Sequence, residues 1–192
     1  MATIDEFKSQ LTGGGARANQ FEVWITDPQG LGIGLDRRRT SFLVRSASLP
    51  GMTLGEIAVP FRGRTIYLAG DRTFEDTWTT TFLNDTDFSI RNAIEKWSNA
   101  INDLVDGKGV SNPKDYQTDL TVKQLDRSGN VLKTYKFINA WPTTISAIEL
   151  TSDTADAIEE FEVTWRYQRF ETSKVTKGFT EDSPTGAAFG LT

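Results

Sequence analysis

Strict alternation begins at Phe21, where Phe21, Val23 and Ile25 share one face of an extended segment and Glu22, Trp24 and Thr26 share the other. A period of two predicts a strand buried on one side. Ahead of it, Ile4, Phe7 and Leu11 recur at helical spacing before Gly13, Gly14 and Gly15 break the pattern, so residues 1–20 read as an arm with a short amphipathic helix. After Gly30, Gly32 and Gly34, the triplet Arg37, Arg38 and Arg39 reads as a solvated loop leading into a strand over 41–45. Strands are expected over 64–69 and 74–83, with a turn at Gly70 and Asp71; the second is rich in Thr and carries Phe74, Trp78 and Phe82. Segments 119–125 and 131–139 form a hairpin through Asp126, Ser128 and Gly129. A short strand after Trp141 and Pro142 runs to about residue 150, and an acidic loop over 153–160 follows. The last strand sets Phe161, Val163, Trp165 and Tyr167 on one face against Glu162, Thr164, Arg166 and Gln168 on the other.

One segment has helical periodicity over a useful length. Ile90, Ile94, Trp97, Ile101 and Leu104 form a stripe over about 87–106, with Asp87 placed to cap the helix and Gly107 to end it. Residues 46–64 fit neither template: Leu49, Met52, Leu54, Ile57, Val59 and Phe61 are punctuated by Pro50, Gly51, Gly55, Pro60 and Gly63. This reads as a long apolar loop or hairpin that either folds back on its own domain or reaches for a partner surface. Residues 171–192 lose periodicity and read as an arm or tail. The pattern predicts a mainly β domain over 21–170, a small barrel or sandwich with one flanking helix, an extended loop and two flexible arms.

Composition narrows the chemistry. The 192 residues suit one domain. A net charge of -5 argues against gripping nucleic acid, which needs clustered Lys and Arg, but is compatible with letting it pass. Asp5, Glu6 and Lys8 occupy the stretch where a signal peptide needs an apolar run, and no later segment reaches membrane-spanning length, so a soluble chain is expected. With no His and no Cys, the usual acyl-transfer triads, thiol nucleophiles and zinc ligand sets cannot be assembled. Asp71, Glu75, Asp76, Asp85 and Asp87 leave room for a carboxylate glycosidase, although turn and cap duty explains them better. Trp24, Trp78 or Trp141 would be the sugar platforms of a carbohydrate-binding module, and all three also fit core positions. No cofactor is expected.

Five short motifs, in order, carry a resemblance. Ala69, Gly70, Asp71, Arg72, Thr73 and Phe74, with Trp78 and the Asn84-Asp85 pair downstream, resemble a signature segment of the tail tube family of contractile-tailed, T4-like phages. Ala16-Arg17 with Asn19, Phe21 and Val23, Ala47 with Leu49-Pro50-Gly51, Trp141-Pro142-Thr143, and Phe161 to Thr164 are similar to four further family segments. Trp78 lies one residue farther along than the family spacing, which leaves its facing open between a reversed strand and a bulge. The resemblance implies a non-enzymatic virion protein whose hexameric rings stack into the tail tube, with tail sheath, baseplate and tail terminator proteins as partners and DNA as passenger. In such a stack the apolar composition of residues 46–64 makes Leu49, Pro50, Gly51, Met52, Leu54, Val59 and Phe61 the expected ring-to-ring contacts. Thr77, Thr79, Thr81, Glu162 and Thr164 are the expected lumen residues. The tube of a related contractile injection or type VI secretion system is the neighbouring alternative.

Overall fold

The alternating segments pair as strands because each has one apolar face to bury and a β-branched or aromatic residue at most of its inward positions. A computed structural model describes residues 3–11, 15–153 and 156–173. In chain order the elements are α1 (Ile4–Gln10), β1 (Phe21–Ile25), α2 (Arg37–Leu43), β2 (Val44–Ala47), β3 (Met52–Phe61), β4 (Arg64–Phe74), β5 (Thr77–Leu83), α3 (Ser89–Ile101), α4 (Pro113–Tyr116), β6 (Thr118–Leu125), β7 (Val131–Ile145), β8 (Glu160–Arg166) and β9 (Arg169–Thr172). The main sheet runs β1-β6-β7-β8-β5-β2, and β9 also pairs with β7; every pairing is antiparallel.

β7 is the corner of the molecule. Its first half pairs with β6 and β9, and its second half, from Trp141, pairs with β8. Between the halves Asn139 takes a left-handed φ of 55°, which Asn tolerates better than most residues, and the strand changes direction there. Two sheet faces are thereby folded toward one another, and the core fills the space between them. Phe137 stacks on Trp78 at 4.4 Å between ring centroids, and Trp97 of α3 meets Trp165 of β8 at 5.5 Å. The three fully buried Trp side chains each donate their ring N–H: Trp78 to Ser48 O, Trp97 to Tyr116 O and Trp165 to Thr80 Oγ1, each at 2.8 Å. No orphaned indole donor weakens this core. The strand path stays open at β1 and β2, so the described residues form a sandwich-like half-barrel and do not close a barrel.

Several expectations need correction. Gly70 and Asp71 do not turn the chain; β4 runs straight through them, because a closer turn at Arg62 and Gly63 already reverses it. The arginine triplet is the first turn of α2, capped by Asp36, whose side chain accepts from Arg38 N at 2.9 Å, and the strand expected over 41–45 starts at Val44 instead. The segment after Trp141 and Pro142 is a continuation of β7, which ends at Ile145. Arg169–Thr172 lies beyond the expected last strand and turns back to pair with β7, burying Phe170; the rest of the expected C-terminal arm lies outside the described residues.

The flanking helix is shorter than its stripe suggests. Ile90, Ile94 and Trp97 are buried, but α3 ends at Ile101 and Leu104 is 93% exposed. Asp87 does not cap it. Asp85 accepts from Ser89 N at 3.0 Å and from Ser89 Oγ at 2.8 Å, and pairs with Arg39 at 2.7 Å, tying α2 to the start of α3. Partial burial pushes the Asp85 carboxyl up, but the Ser89 bonds and Arg39 outweigh it and hold the group below its ordinary value. A carboxylate with a depressed native value contributes its stability above the unfolded-state value and loses it as pH falls through the native one. Asp85→Ala is therefore expected to cost about 1 kcal/mol near neutral pH. In urea titrations at descending pH, the gap to the unmodified protein should shrink once the medium is acid enough to protonate Asp85.

Candidate assembly surfaces

β3 and β4 form a two-stranded sheet of their own that leaves the core behind. Phe61 pairs with Arg64 across the two-residue turn of Arg62 and Gly63, whose φ values of 47° and 80° suit the twist of a hairpin. From that tip the register runs back through Val59 opposite Ile66 and Ile57 opposite Leu68 to Met52 opposite Phe74. At about 3.3 Å per residue the arms reach roughly 30 Å. Directly opposed residues share a face, so Ile57, Val59, Phe61, Ile66 and Leu68 make one apolar face beyond the irregularity between Leu54 and Glu56. There the two backbones touch: a Cβ on Gly70 would lie 3.1 Å from the Gly55 carbonyl carbon, so the glycine of the family motif is required by close approach and not by a turn.

Among the described residues the base of the hairpin is anchored and the rest is not. Phe74 meets Phe170 edge-on at 5.9 Å, while Met52, Leu54, Ile57, Phe61, Ile66 and Leu68 are each about half exposed, from 48% to 56%. Leu49 and Val59 are also exposed, and Pro50 and Gly51 sit at the root. Of the segment 46–64, Ser46 and Ala47 finish β2 in the main sheet, and residues 52–61 form one arm of a projecting hairpin. The anchors expected from the sequence lie on this arm alone, and Ile66, Leu68 and Phe74 on the returning strand add to its apolar surface. Their alternation with Tyr67 and Thr73 was the available signal. Of the motif residues, Ala69 pairs with Glu56, Arg72 with Leu54 and Thr73 with Thr53, so they belong to the same ladder, while Asp71 lies exposed on β4.

A second surface lies on the outside of β2, β5, β8 and the C-terminal half of β7. Thr77 is opposite Arg166, Thr79 opposite Thr164 and Thr81 opposite Glu162. The structure thus brings the five sequence-selected residues Thr77, Thr79, Thr81, Glu162 and Thr164 onto one face. Thr144 opposite Thr164 and Ser46 opposite Thr81 extend it, with Ser46 Oγ donating to Thr81 Oγ1 at 2.9 Å. The intervening residues Trp78, Thr80 and Phe82 point into the core, so Trp78 faces inward. Glu75 and Asp76 lie between the end of β4 and the start of β5. Charge on this face is local: Arg166 pairs with Asp76 and Arg45 with Glu160, leaving Glu162 and a field of hydroxyls. β2 pairs only with β5, and residues 141–145 of β7 only with β8, so among the described residues the face is bordered by two half-paired edges.

The candidate residues for sugar chemistry are scattered over the fold and most are engaged. Asp71, Glu75 and Asp76 lie near the hairpin base, whereas Asp85 and Asp87 face Arg39 at the start of α3. Trp24 carries Lys123 Nζ 3.0 Å from its ring centroid and Arg37 Cζ at 4.7 Å, Trp78 is buried, and Trp141 is half-buried with Tyr116 edge-on at 6.1 Å. Tyr167, its hydroxyl donating to Glu75 O, is pushed up to about 12 by burial and by the nearby Glu75 and Asp76 charges. It stays a neutral structural donor. Among the described residues no cluster of acidic side chains is arranged to hold a metal ion.

Known proteins share this arrangement. The family model for the phage tail tube protein matches residues 16–173. The tail tube protein of Serratia phage KSP90 is 32% identical over 169 residues, covering 87% of this chain and 95% of that protein. Tail tube protein gp19 of Enterobacteria phage T4 is likewise 32% identical over 169 residues, covering 85% and 96%. A chain from the sheath-tube complex of the extracellular contractile injection system PVC, in its extended state, has a similar fold. Its TM-score is 0.55 at 17% identity, over 90% of this chain and 98% of that one. A match of this length, joined to identity spread over nearly the whole of two named relatives, shows that the chain belongs to the phage tail tube protein family and is a structural protein of the virion tail.

Proposed function

We propose that the chain is a non-enzymatic subunit of six-membered rings that stack into the conduit for DNA. The observation that carries this is the hairpin of β3 and β4, an apolar ladder with no core beneath it. An isolated two-stranded ribbon is marginal in water, and an exposed apolar face of this extent belongs against another surface. The next ring is the surface proposed to cover it, with Leu49, Pro50, Gly51, Met52, Leu54, Val59 and Phe61 on the contact, joined by Ile66 and Leu68.

Within a ring, the half-paired edge of β2 in one copy suits the half-paired edge of residues 141–145 in the next. Such a contact is head-to-tail and ends aggregation only when rotation closes it. Four strands from each of six copies make a barrel of about 24 strands, and at about 4.8 Å per strand its circumference is roughly 115 Å, or ~37 Å across before strand tilt widens it. The hydroxyl-rich face with Glu162 would line that channel. It offers a phosphate backbone few cations to bind, so DNA slides without sticking. A contractile sheath outside, a baseplate below and a terminator above complete the partner set expected of a tube. The tube of a related injection machine has the same fold, and the two phage relatives favour DNA as the cargo.

Negative-stain electron microscopy over a concentration series tests this directly. Hollow tubes or six-fold rings are expected, and a strict monomer at every concentration would overturn the reading. A second measurement addresses the lumen. Thr79→Lys with Thr164→Lys should leave tubes intact but slow DNA ejection, more so at low salt, because each ring then presents a girdle of cations. Ejection at the unmodified rate would place this face away from the channel.

A further inference from the structure

The hairpin of β3 and β4 and the connection from β7 to β8 lie at opposite ends of one pair of strands. β5 and β8 pair from Thr77 opposite Arg166 to Leu83 opposite Glu160, about 20 Å of strand. Glu75 and Asp76 join Phe74, the last residue of the hairpin, to Thr77, so the hairpin leaves the sheet at the Thr77 end. The connection lies at the Leu83 end, where Ser146 N donates to Glu162 O and Asn84 N to Glu159 O, each at 2.8 Å. Arg91 Nη1 also donates to Ser146 O at 3.1 Å, and Asn84 Nδ2 to Glu159 Oε2 at 2.9 Å, so both ends of the connection are fixed to the domain. Between those ends Leu150 is 79% and Ile158 67% exposed, and Glu149, Asp153 and Asp156 are exposed as well.

Charge divides between the two ends. From Ile57 to Gly70 the charged residues of the hairpin are Arg62 and Arg64 at its tip, whereas residues 146–159 hold Glu149, Asp153, Asp156 and Glu159 and no Lys or Arg. Arg64 stands opposite Phe61 and so shares the apolar face with Val59 and Ile66. Among the described residues, Arg62 lies over the Phe61 ring at 5.4 Å, and neither tip arginine nor Glu149, Asp153 or Asp156 has an ion-pair partner within the chain. We propose that the tip of each hairpin docks on the β7-to-β8 connection of a copy in the next ring. Arg62 and Arg64 would meet Glu149, Asp153 and Asp156, and the apolar face behind them would meet Leu150 and Ile158. The inference rests on the assembly reading and names the receiving surface. Strands of a closed barrel run along its axis with a tilt, so rings stacked in one direction bring the Thr77 end of one subunit toward the Leu83 end of another. Charge also favours a second copy as the occupant: residues 1–2 and 12–14 have no charged side chain, and residues 174–192 set Lys174 and Lys177 against Glu181 and Asp182. None of these segments brings a surplus of cationic side chains to the carboxylates.

The chain contains no cysteine, which makes cross-linking clean. Thr65→Cys and Ser152→Cys are both exposed positions that keep every charge of the contact. The two variants would be prepared separately, mixed, assembled and mildly oxidised. Covalent dimers are expected in the mixture and not in either preparation alone. Arg62→Glu with Arg64→Glu should raise the critical concentration for tubes roughly tenfold. Adding Glu149→Arg and Asp153→Arg to the same chain should bring it most of the way back, and a rise without that recovery would overturn the pairing. Tubes visible by electron microscopy without mixed dimers would overturn this docking and leave the tube reading standing. A lack of tubes from the unmodified protein at every concentration would overturn both. Mixed dimers formed in single rings would place the contact within a ring and overturn the inference. A double variant that closes a disulfide within one chain would overturn the choice of a second copy.

Discussion

Val59→Asp is expected to abolish tube formation at concentrations where the unmodified protein polymerises, while the subunit keeps its fold. Val59 sits opposite Ile66 in the outer half of the hairpin, 39% exposed, and is not part of the core cluster. In the free subunit the substitution therefore exchanges one solvent-facing side chain for another, and surface changes of that kind usually stay within about 0.5 kcal/mol. In the proposed stacked tube the same position would be covered, and the lost apolar burial of about 1.5–3 kcal/mol would be joined by the cost of desolvating a carboxylate. Even about 2.8 kcal/mol per subunit raises the critical concentration roughly 100-fold, and every subunit carries the change. Sedimentation of assemblies against concentration, with thermal melting of the unassembled subunit alongside, separates the two effects. An unchanged critical concentration would mean that the hairpin is not the ring-to-ring contact.

The opposite pattern, loss of the subunit itself, is expected for Trp165→Ala. Trp165 is fully buried at the centre of the core, 5.5 Å from Trp97, and its indole N–H is the donor held by the buried Thr80 hydroxyl. Truncation leaves a large cavity and a hydroxyl without that donor, which together cost about 3–5 kcal/mol. That is a large part of the total for a domain of this size. The midpoint should fall by roughly 6–20 °C. Urea denaturation under monomeric conditions gives the free energy, and Trp165→Phe, which keeps most of the volume, should lose far less. Equal losses for the two variants would place the stabilisation in the hydrogen bond and not in packing.

The sequence by itself determined the facing of the sheet. Phe161, Val163, Trp165 and Tyr167 had to share a buried face, and Thr79, Thr81, Glu162 and Thr164 an outer one, because a period of two leaves a strand no other way to bury apolar area. The stripe of Ile90, Ile94 and Trp97 on α3 was legible for the same reason at a period of 3.6. Composition also showed that residues 46–64 carry more apolar surface than a loop can justify. What the sequence could not decide were contacts between segments far apart in the chain. The turn assigned to Gly70 became a close approach to Gly55, because a glycine signals missing Cβ volume without saying whether a turn or a neighbouring backbone needs the space. The carboxylate that bonds the first N–H of α3 is Asp85 and not Asp87, and Arg39, almost fifty positions away, pairs with both. The return of Arg169–Thr172 onto β7, and the meeting of β5 with β8 that assembles the threonine face, depend on strand order. Local pattern sets which side of a strand is apolar; only tertiary structure chooses the strand beside it, since many pairings bury the same area and the packing of the whole core selects one.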